Sequence, residues 1–279
     1  NHHEQACAMG AESYYRSSNK IAVVNVTTGP GGTNAITGIY GAWTDSIGML
    51  VISGQVKWET TVQSTDLPLR QLGDQEINIV QLVTPITKYA VTVTDPLSIK
   101  YHLDKALYLA ANGRPGPVWL DIPMDVQGAV VNTNELSSFD PSELKIDQVE
   151  IDLSKVATEV VQRIAKSERP VIMVGTGIRL SQQRDNLVRL VEKLNIPVVT
   201  AWNAHDIIWT DHPLYIGRPG TIGDRAGNFA VQNADLLLVL GCRLNIRQIS
   251  YEWKSFARAA YKIWADIDLA ELQKPTIKP

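Results

Sequence analysis

His2-His3-Glu4-Gln5-Ala6-Cys7-Ala8-Met9-Gly10-Ala11-Glu12-Ser13-Tyr14-Tyr15-Arg16 opens the chain, and the rest is read from it. Ala6, Met9, Gly10 and Ser13 recur at i, i+3, i+4 and i+7, which predicts a helix over 4–16 with a small-residue face made for close packing. Glu4 then lies at the helix mouth, where free backbone N–H groups and the positive end of the dipole favour a carboxylate. Taken alone, it is a first-turn Glu. Ile21-Ala-Val-Val-Asn-Val26 follows as a short strand. Thr27-Thr28-Gly29-Pro30-Gly31-Gly32-Thr33-Asn34 is a glycine-rich turn into a second helix over 33–45, and Met49-Leu-Val-Ile-Ser53 is a strand with Gly54-Gln55-Val56 at its carboxyl end.

The alternation continues. Residues 54–75 are polar and irregular, as suits a binding loop above the carboxyl edge of a parallel sheet. A short helix near 76–82 and a strand near 88–93 come next. A helix runs from Pro96 to about Ala111 with Ile99, Leu103, Ala106, Leu107 and Ala110 on one face, and a buried strand follows at 117–122. Residues 132–152 lack periodicity and read as a linker. The second half restarts with helix 153–167, strand 170–174, Gly175-Thr-Gly177, helix 181–194, strand 197–201, an irregular segment 202–223, helix 224–232, and strands 234–240 and 260–265. The fold class is therefore α/β, with two doubly wound parallel-sheet domains at 1–131 and 153–279.

Composition narrows the function. Of 279 residues, 44% are hydrophobic and 20% charged, which is ordinary for a globular protein. A net charge of -3 with no basic stripe argues against nucleic acid as a partner. Cys7 and Cys242 form neither a disulfide framework nor a metal spacing, which points to a reducing cytoplasm. No apolar run reaches the ~20 residues that span a bilayer, so no membrane partner is expected. His2 and His3 could be half of a metal site, but no third ligand is in view and they are read as solvated or minor contacts. No metal ligand is assigned.

In order and interval, His3-Glu-Gln-Ala6, Thr27-Thr-Gly-Pro-Gly-Gly-Thr-Asn34 and Ile52-Ser-Gly-Gln-Val56 resemble the pyrimidine-binding domain of thiamine-diphosphate enzymes of the acetolactate synthase group. Gly113-Arg-Pro-Gly-Pro-Val-Trp-Leu-Asp-Ile-Pro123 extends the likeness, and Ala234-Asp-Leu-Leu-Leu-Val-Leu-Gly-Cys-Arg243 and Ile263-Trp-Ala-Asp-Ile-Asp268 carry it through the second half, which resembles that group's middle domain. The resemblance implies a decarboxylase or carboligase acting on a 2-oxo acid. It implies thiamine diphosphate as cofactor, FAD as an option in the middle domain, and a homodimer or homotetramer with the cofactor between subunits.

Thiamine supplies a carbanion-stabilising thiazolium, and the protein must orient it. By resemblance, Glu4 hydrogen-bonds the aminopyrimidine ring nitrogen and favours its imino tautomer. Such a carboxyl shares a proton near neutral pH and so needs an apolar site that raises its pKa. Thr28, Gly29, Pro30, Gly31 and Asn34 are assigned to the cofactor: the glycines admit a flat ring and Pro30 gives it a rigid apolar surface. The same turn also reads as a plain strand-to-helix connection capped by Thr33 or Asn34. Gln55 is assigned to substrate, against a surface-loop Gln as the alternative.

Two departures bear on the reading. The Phe-Gln-Glu triplet of acetolactate synthases corresponds to Asp74-Gln75-Glu76, so Arg70 or Asp74 would make a more polar pocket. The Gly-Asp-Gly run that carries Mg2+ and the diphosphate in a third domain does not occur. With the start at Asn1, this leads us to expect a fragment, weak in cofactor affinity and inactive alone. The rival readings are a non-catalytic nucleotide-binding or regulatory α/β protein, and a nicotinamide-nucleotide module built on Gly175-Thr-Gly177, where Leu180 replaces the third glycine of the fingerprint.

Overall fold

In the computed structural model the described residues are 1–144 and 151–278, so part of the expected linker, 145–150, lies outside them. The chain divides into two compact units, 1–147 and 148–279.

The first unit is a four-stranded parallel sheet in the order β1-β2-β4-β3, with β1 at Ala22–Val26, β2 at Met49–Gln55, β3 at Tyr89–Thr92 and β4 at Pro117–Pro123. The central strands are buried on both faces, as covered parallel sheets require: Val118, Trp119, Leu120 and Asp121 are all fully buried. Helices α1 (Glu4–Ser18) and α2 (Pro30–Thr44) pack so closely that a Cβ on Gly38 would lie 2.5 Å from that of Ala8. Helix α3 (Ile79–Val83) follows the long loop, and α4 (Ile99–Ala111) puts Ala106 and Ala110 against Leu50, Val118 and Leu120. The short α5 (Met124–Gln127) ends β4.

Four local expectations are corrected. Helix α1 buries Ala8, Ala11 and Tyr15, while Met9 is 43% exposed and Gly10 meets nothing, so the Ala6, Met9, Gly10 and Ser13 face is not the packed one in this unit. Helix α2 begins at Pro30 rather than residue 33, because Pro at the first position is pre-organised for a helix. Its cap is Gly29, with no side-chain hydrogen bond, rather than Thr33 or Asn34. Leu107 of α4 is exposed instead of buried.

The second unit is a five-stranded parallel sheet in the order β7-β6-β5-β8-β9. Its strands are β5 (Pro170–Val174), β6 (Val198–Thr200), β7 (Tyr215–Gly217), β8 (Leu236–Leu240) and β9 (Tyr261–Ala265). Helices α6 (Leu153–Lys166), α7 (Gly177–Leu180), α8 (Arg184–Leu194) and α9 (Arg225–Asn233) connect them, with short α10 (Ile246–Ile249) and α11 (Leu269–Gln273) beyond. Strand β7 falls inside the segment expected to be irregular; at three residues and on an edge, it carries too little pattern to be seen. The chain enters at β5, winds outward to β7, then crosses to β8, which puts a topological switch between β5 and β8.

Candidate functional site

The carboxyl ends of β1 and β2 carry the turn and the loop on which the site is built. Glu4, in the first turn of α1, accepts a hydrogen bond at Oε2 from Asn34 Nδ2, 3.1 Å away on α2. His3 caps the same helix, its Nδ1 accepting from the Gln5 N–H at 3.1 Å, so it is a structural cap. Between Glu4 and the turn stands Gly31. A Cβ there would lie 2.9 Å from Thr27 Cγ2 and 3.7 Å from Glu4 Oε1, so the missing side chain is what leaves the carboxyl open to the turn. Pro30 is exposed beside it.

Glu4 differs from expectation in its electrostatics. The Asn34 amide, then its own backbone N–H, hold its carboxyl below the ordinary range, outweighing an opposing upward push from burial, with a smaller lowering contribution from His3. The reason is geometric: donors approach from α2 and from the helix start, and the remaining side is open.

Gly29 sits at φ 58, ψ -113, a conformation reserved for glycine. Its missing Cβ would lie 2.0 Å from the Gln75 carbonyl oxygen, so the loop is packed on the turn backbone to backbone. The loop is tied from within by Glu76, which the sequence analysis did not single out. Only 8% exposed, it accepts from the N–H groups of Val62, Leu72 (2.9 Å) and Gly73 (3.1 Å). Arg70 and Asp74 are exposed on the same loop.

Gln55 is not the surface-loop residue of the alternative reading. It is 5% exposed, and its amide is fully used: Oε1 accepts from Thr28 Oγ1 (2.7 Å) and Val56 N (3.0 Å), while Nε2 donates to Ile77 O (3.0 Å) and Asp121 Oδ2 (3.2 Å). Within this chain Gln55 braces the turn.

Asp121, like Glu76, is a residue that sequence reasoning missed. It lies in one row across the sheet with Ser53 and Thr92, its register partners on β2 and β3. It is fully buried; burial pushes its carboxyl up to about 6, against hydrogen bonds from Ser53, Gln55 and Thr92. The one signal in sequence was an acid inside an otherwise apolar strand.

Asp121 holds its proton in the folded state up to about pH 6 but releases it near 3.8 when unfolded, so its contribution to stability is present below 3.8 and lost as pH rises through 6. The loss amounts to about 3 kcal/mol. Urea midpoints at pH 4.5 and 7.5 should fall further for the wild type than for Asp121→Asn; equal falls would remove Asp121 as the cause.

In the second unit, the Gly175-Thr-Gly177 turn serves the protein itself. The Gly175 and Gly177 N–H groups donate to Leu240 O (3.0 Å) and Gly241 O (2.9 Å), and a Cβ on either glycine would strike Gly241. With those amides spent, the turn is no diphosphate cradle, and the nicotinamide-nucleotide reading loses its motif. Among the described residues, no cluster of three or more His, Cys, Asp or Glu side chains could hold a metal, and no helix is long and apolar enough to cross a membrane.

Residues 1–82 match the family described as thiamine pyrophosphate enzyme, N-terminal TPP binding domain, and residues 157–278 match thiamine pyrophosphate enzyme, central domain. The chain belongs to the thiamine pyrophosphate enzymes. Within that family it is similar to the probable acetolactate synthase large subunit of Methanococcus aeolicus, 36% identical over 278 residues, with 98% of this chain and 44% of that one covered. It is also similar to the acetolactate synthase large subunit of Lactococcus lactis, 36% identical over 275 residues (98% and 45%), and to the isozyme 2 large subunit of Escherichia coli, 33% over 272 residues (98% and 47%). The chain thus spans somewhat under half the length of the curated relatives it matches.

Proposed function

We propose that the protein containing this chain is a thiamine-diphosphate-dependent, acetolactate synthase-like enzyme that decarboxylates a 2-oxo acid and joins the retained fragment to an acceptor. One observation carries the reading: a carboxyl held by Asn34 at a helix mouth, facing a turn whose Gly31 has been kept clear beside an exposed proline. That is a slot for a flat ring with one hydrogen-bonding edge. The cofactor, when bound, supplies the carbanion-stabilising ring.

This chain's residues do the rest. Asn34 fixes the carboxyl of Glu4, Pro30 offers the ring a surface, and Glu4 holds the proton at the aminopyrimidine nitrogen. A ring lying over the open side excludes water from the carboxyl, and desolvation then raises its affinity for a proton. This reverses the depression seen without it. The exposed Arg70 and Asp74 suit a polar or charged 2-oxo acid better than an apolar one.

Mg2+ and the diphosphate belong, on this reading, with the half of the relatives' length that this chain does not span. The enzyme is a cytoplasmic homodimer or homotetramer in which a second subunit closes the open side of Glu4. FAD would enter the second unit at the carboxyl edge of β6 and β7, where Trp202 is exposed and Arg218 lies 5.9 Å from its ring centre, rather than at Gly175-Thr-Gly177. A non-catalytic role has no support from the relatives, which are named as synthases.

The test is carbon dioxide release by the full-length protein with thiamine diphosphate and Mg2+, offered a panel of 2-oxo acids. Cofactor-dependent release from at least one is expected. Cofactor binding without release from any of them would refute the activity.

A further inference from the structure

The geometry points to Asp121 as a positioning residue that, by fixing which way the Gln55 amide faces, sets the Thr28 hydroxyl at the head of the cofactor turn. This rests on the reading that the turn receives thiamine diphosphate.

A carboxylate in a buried strand is costly unless its surroundings repay it. Among the described residues, no cation is hydrogen-bonded to Asp121. Ser53 Oγ donates to Oδ1 at 2.5 Å, and Gln55 Nε2 (3.2 Å) and Thr92 Oγ1 (3.4 Å) donate to Oδ2. Ser53 itself accepts from Trp119 Nε1 at 2.8 Å. Every group facing the carboxylate from β2 and β3 is a neutral donor.

The chain of donors has a direction. Asp121 as a carboxylate and the Ile77 carbonyl can only accept, so they demand the NH2 end of Gln55. Its oxygen is then turned to Thr28, whose hydroxyl spends its one proton on it at 2.7 Å. Thr28 Oγ1 is left with lone pairs alone for anything beside the turn, and so it accepts from a ligand N–H. Reversing the amide would set oxygen against oxygen at Asp121 and Ile77 and N–H against the Val56 N–H, and would return the Thr28 proton to the turn. Asp121 does not touch the ligand; with the Ile77 carbonyl on Nε2 and the Val56 N–H on Oε1, it holds the amide that decides what Thr28 offers.

The experiment is a double-mutant cycle in the full-length protein, with Mg2+, reading the Kd for thiamine diphosphate by calorimetry. Asp121→Asn removes the carboxylate's one-sided demand with little change in shape, and Thr28→Val removes the hydroxyl. Each single change should weaken binding by about tenfold, the scale of one lost hydrogen bond. The double change should do no worse than either alone, because both cut the same line. A merely structural role for Asp121 would lower the thermal midpoint of the cofactor-free protein and leave the two changes additive in Kd.

Additive losses, or an unchanged Kd for Asp121→Asn, would overturn the inference while leaving the cofactor site intact. A wild type that binds no thiamine diphosphate would overturn both. Should Asp121→Asn fail to fold, Gln55→Met runs the same cycle from the middle of the line, with the same two outcomes.

Discussion

Glu4→Gln in the full-length enzyme should lower turnover by about 10² to 10⁴-fold, the range in which a positioned acid or base contributes. The substitution is gentle in every other respect. The new side chain keeps its length, and its oxygen can still accept from Asn34, so the contact between α1 and α2 is preserved. What it loses is the ability to hold and release a proton. The effect should fall on kcat more than on cofactor affinity, since the amide still occupies the hydrogen-bonding position. Steady-state kinetics at saturating thiamine diphosphate check this, and a turnover within threefold of wild type would take Glu4 out of the mechanism. The setting of Glu4 in this chain sharpens the test. Its carboxyl is held below the ordinary range, so at neutral pH it is ionised until something covers it. On the proposed function, the catalytic state comes from the ring closing over the open side.

Gly29→Ala should destabilise the first unit by about 2–6 kcal/mol. Two costs add. The backbone at φ 58, ψ -113 is strained for any residue with a Cβ, which costs about 1–3 kcal/mol. The new methyl would also sit 2.0 Å from the Gln75 carbonyl oxygen, a backbone atom that cannot swing aside, and overpacking of this kind costs about another 1–3 kcal/mol. Relief requires the loop to leave the turn, so the substitution should also loosen the Glu76-centred loop and weaken cofactor binding. Gly31→Ala is the informative companion. Gly31 carries no positive φ, and its Cβ would meet mainly Thr27 Cγ2 at 2.9 Å, so its cost in stability should be smaller. Its cost in cofactor affinity should be comparable, because the added methyl fills the slot beside Glu4. Thermal unfolding with and without thiamine diphosphate separates the two.

The fold was largely legible because parallel α/β units announce themselves: short apolar runs, glycine turns and amphipathic helices recur at fixed intervals. What escaped had physical causes. Helix α1 offers two stripes of small residues, and periodicity alone does not say whether Ala8 and Ala11 or Ala6, Met9 and Gly10 face the sheet. Strand β7 is too short to show alternation. At the site, the residue types of the turn and of Glu4 could be read from their order, but Glu4 and Asn34, thirty positions apart, are joined only by the packing of two helices. Gln55 was visible as a polar residue closing a strand. Its role as a brace depends on Asp121 and Thr28 arriving from two other segments. Asp121 and Glu76 were hidden for the same reason: each looks like an ordinary acid until the donors that converge on it are assembled by the fold.

The contact between Glu4 and the ring nitrogen is the claim on which the account rests, and nitrogen magnetic resonance sees it directly. Thiamine diphosphate labelled with 15N in its aminopyrimidine ring, bound with Mg2+ to the full-length protein, should show one ring nitrogen shifted toward its protonated position in the wild type. In Glu4→Gln that nitrogen should return to its unprotonated position. Identical spectra for the two proteins would contradict the account.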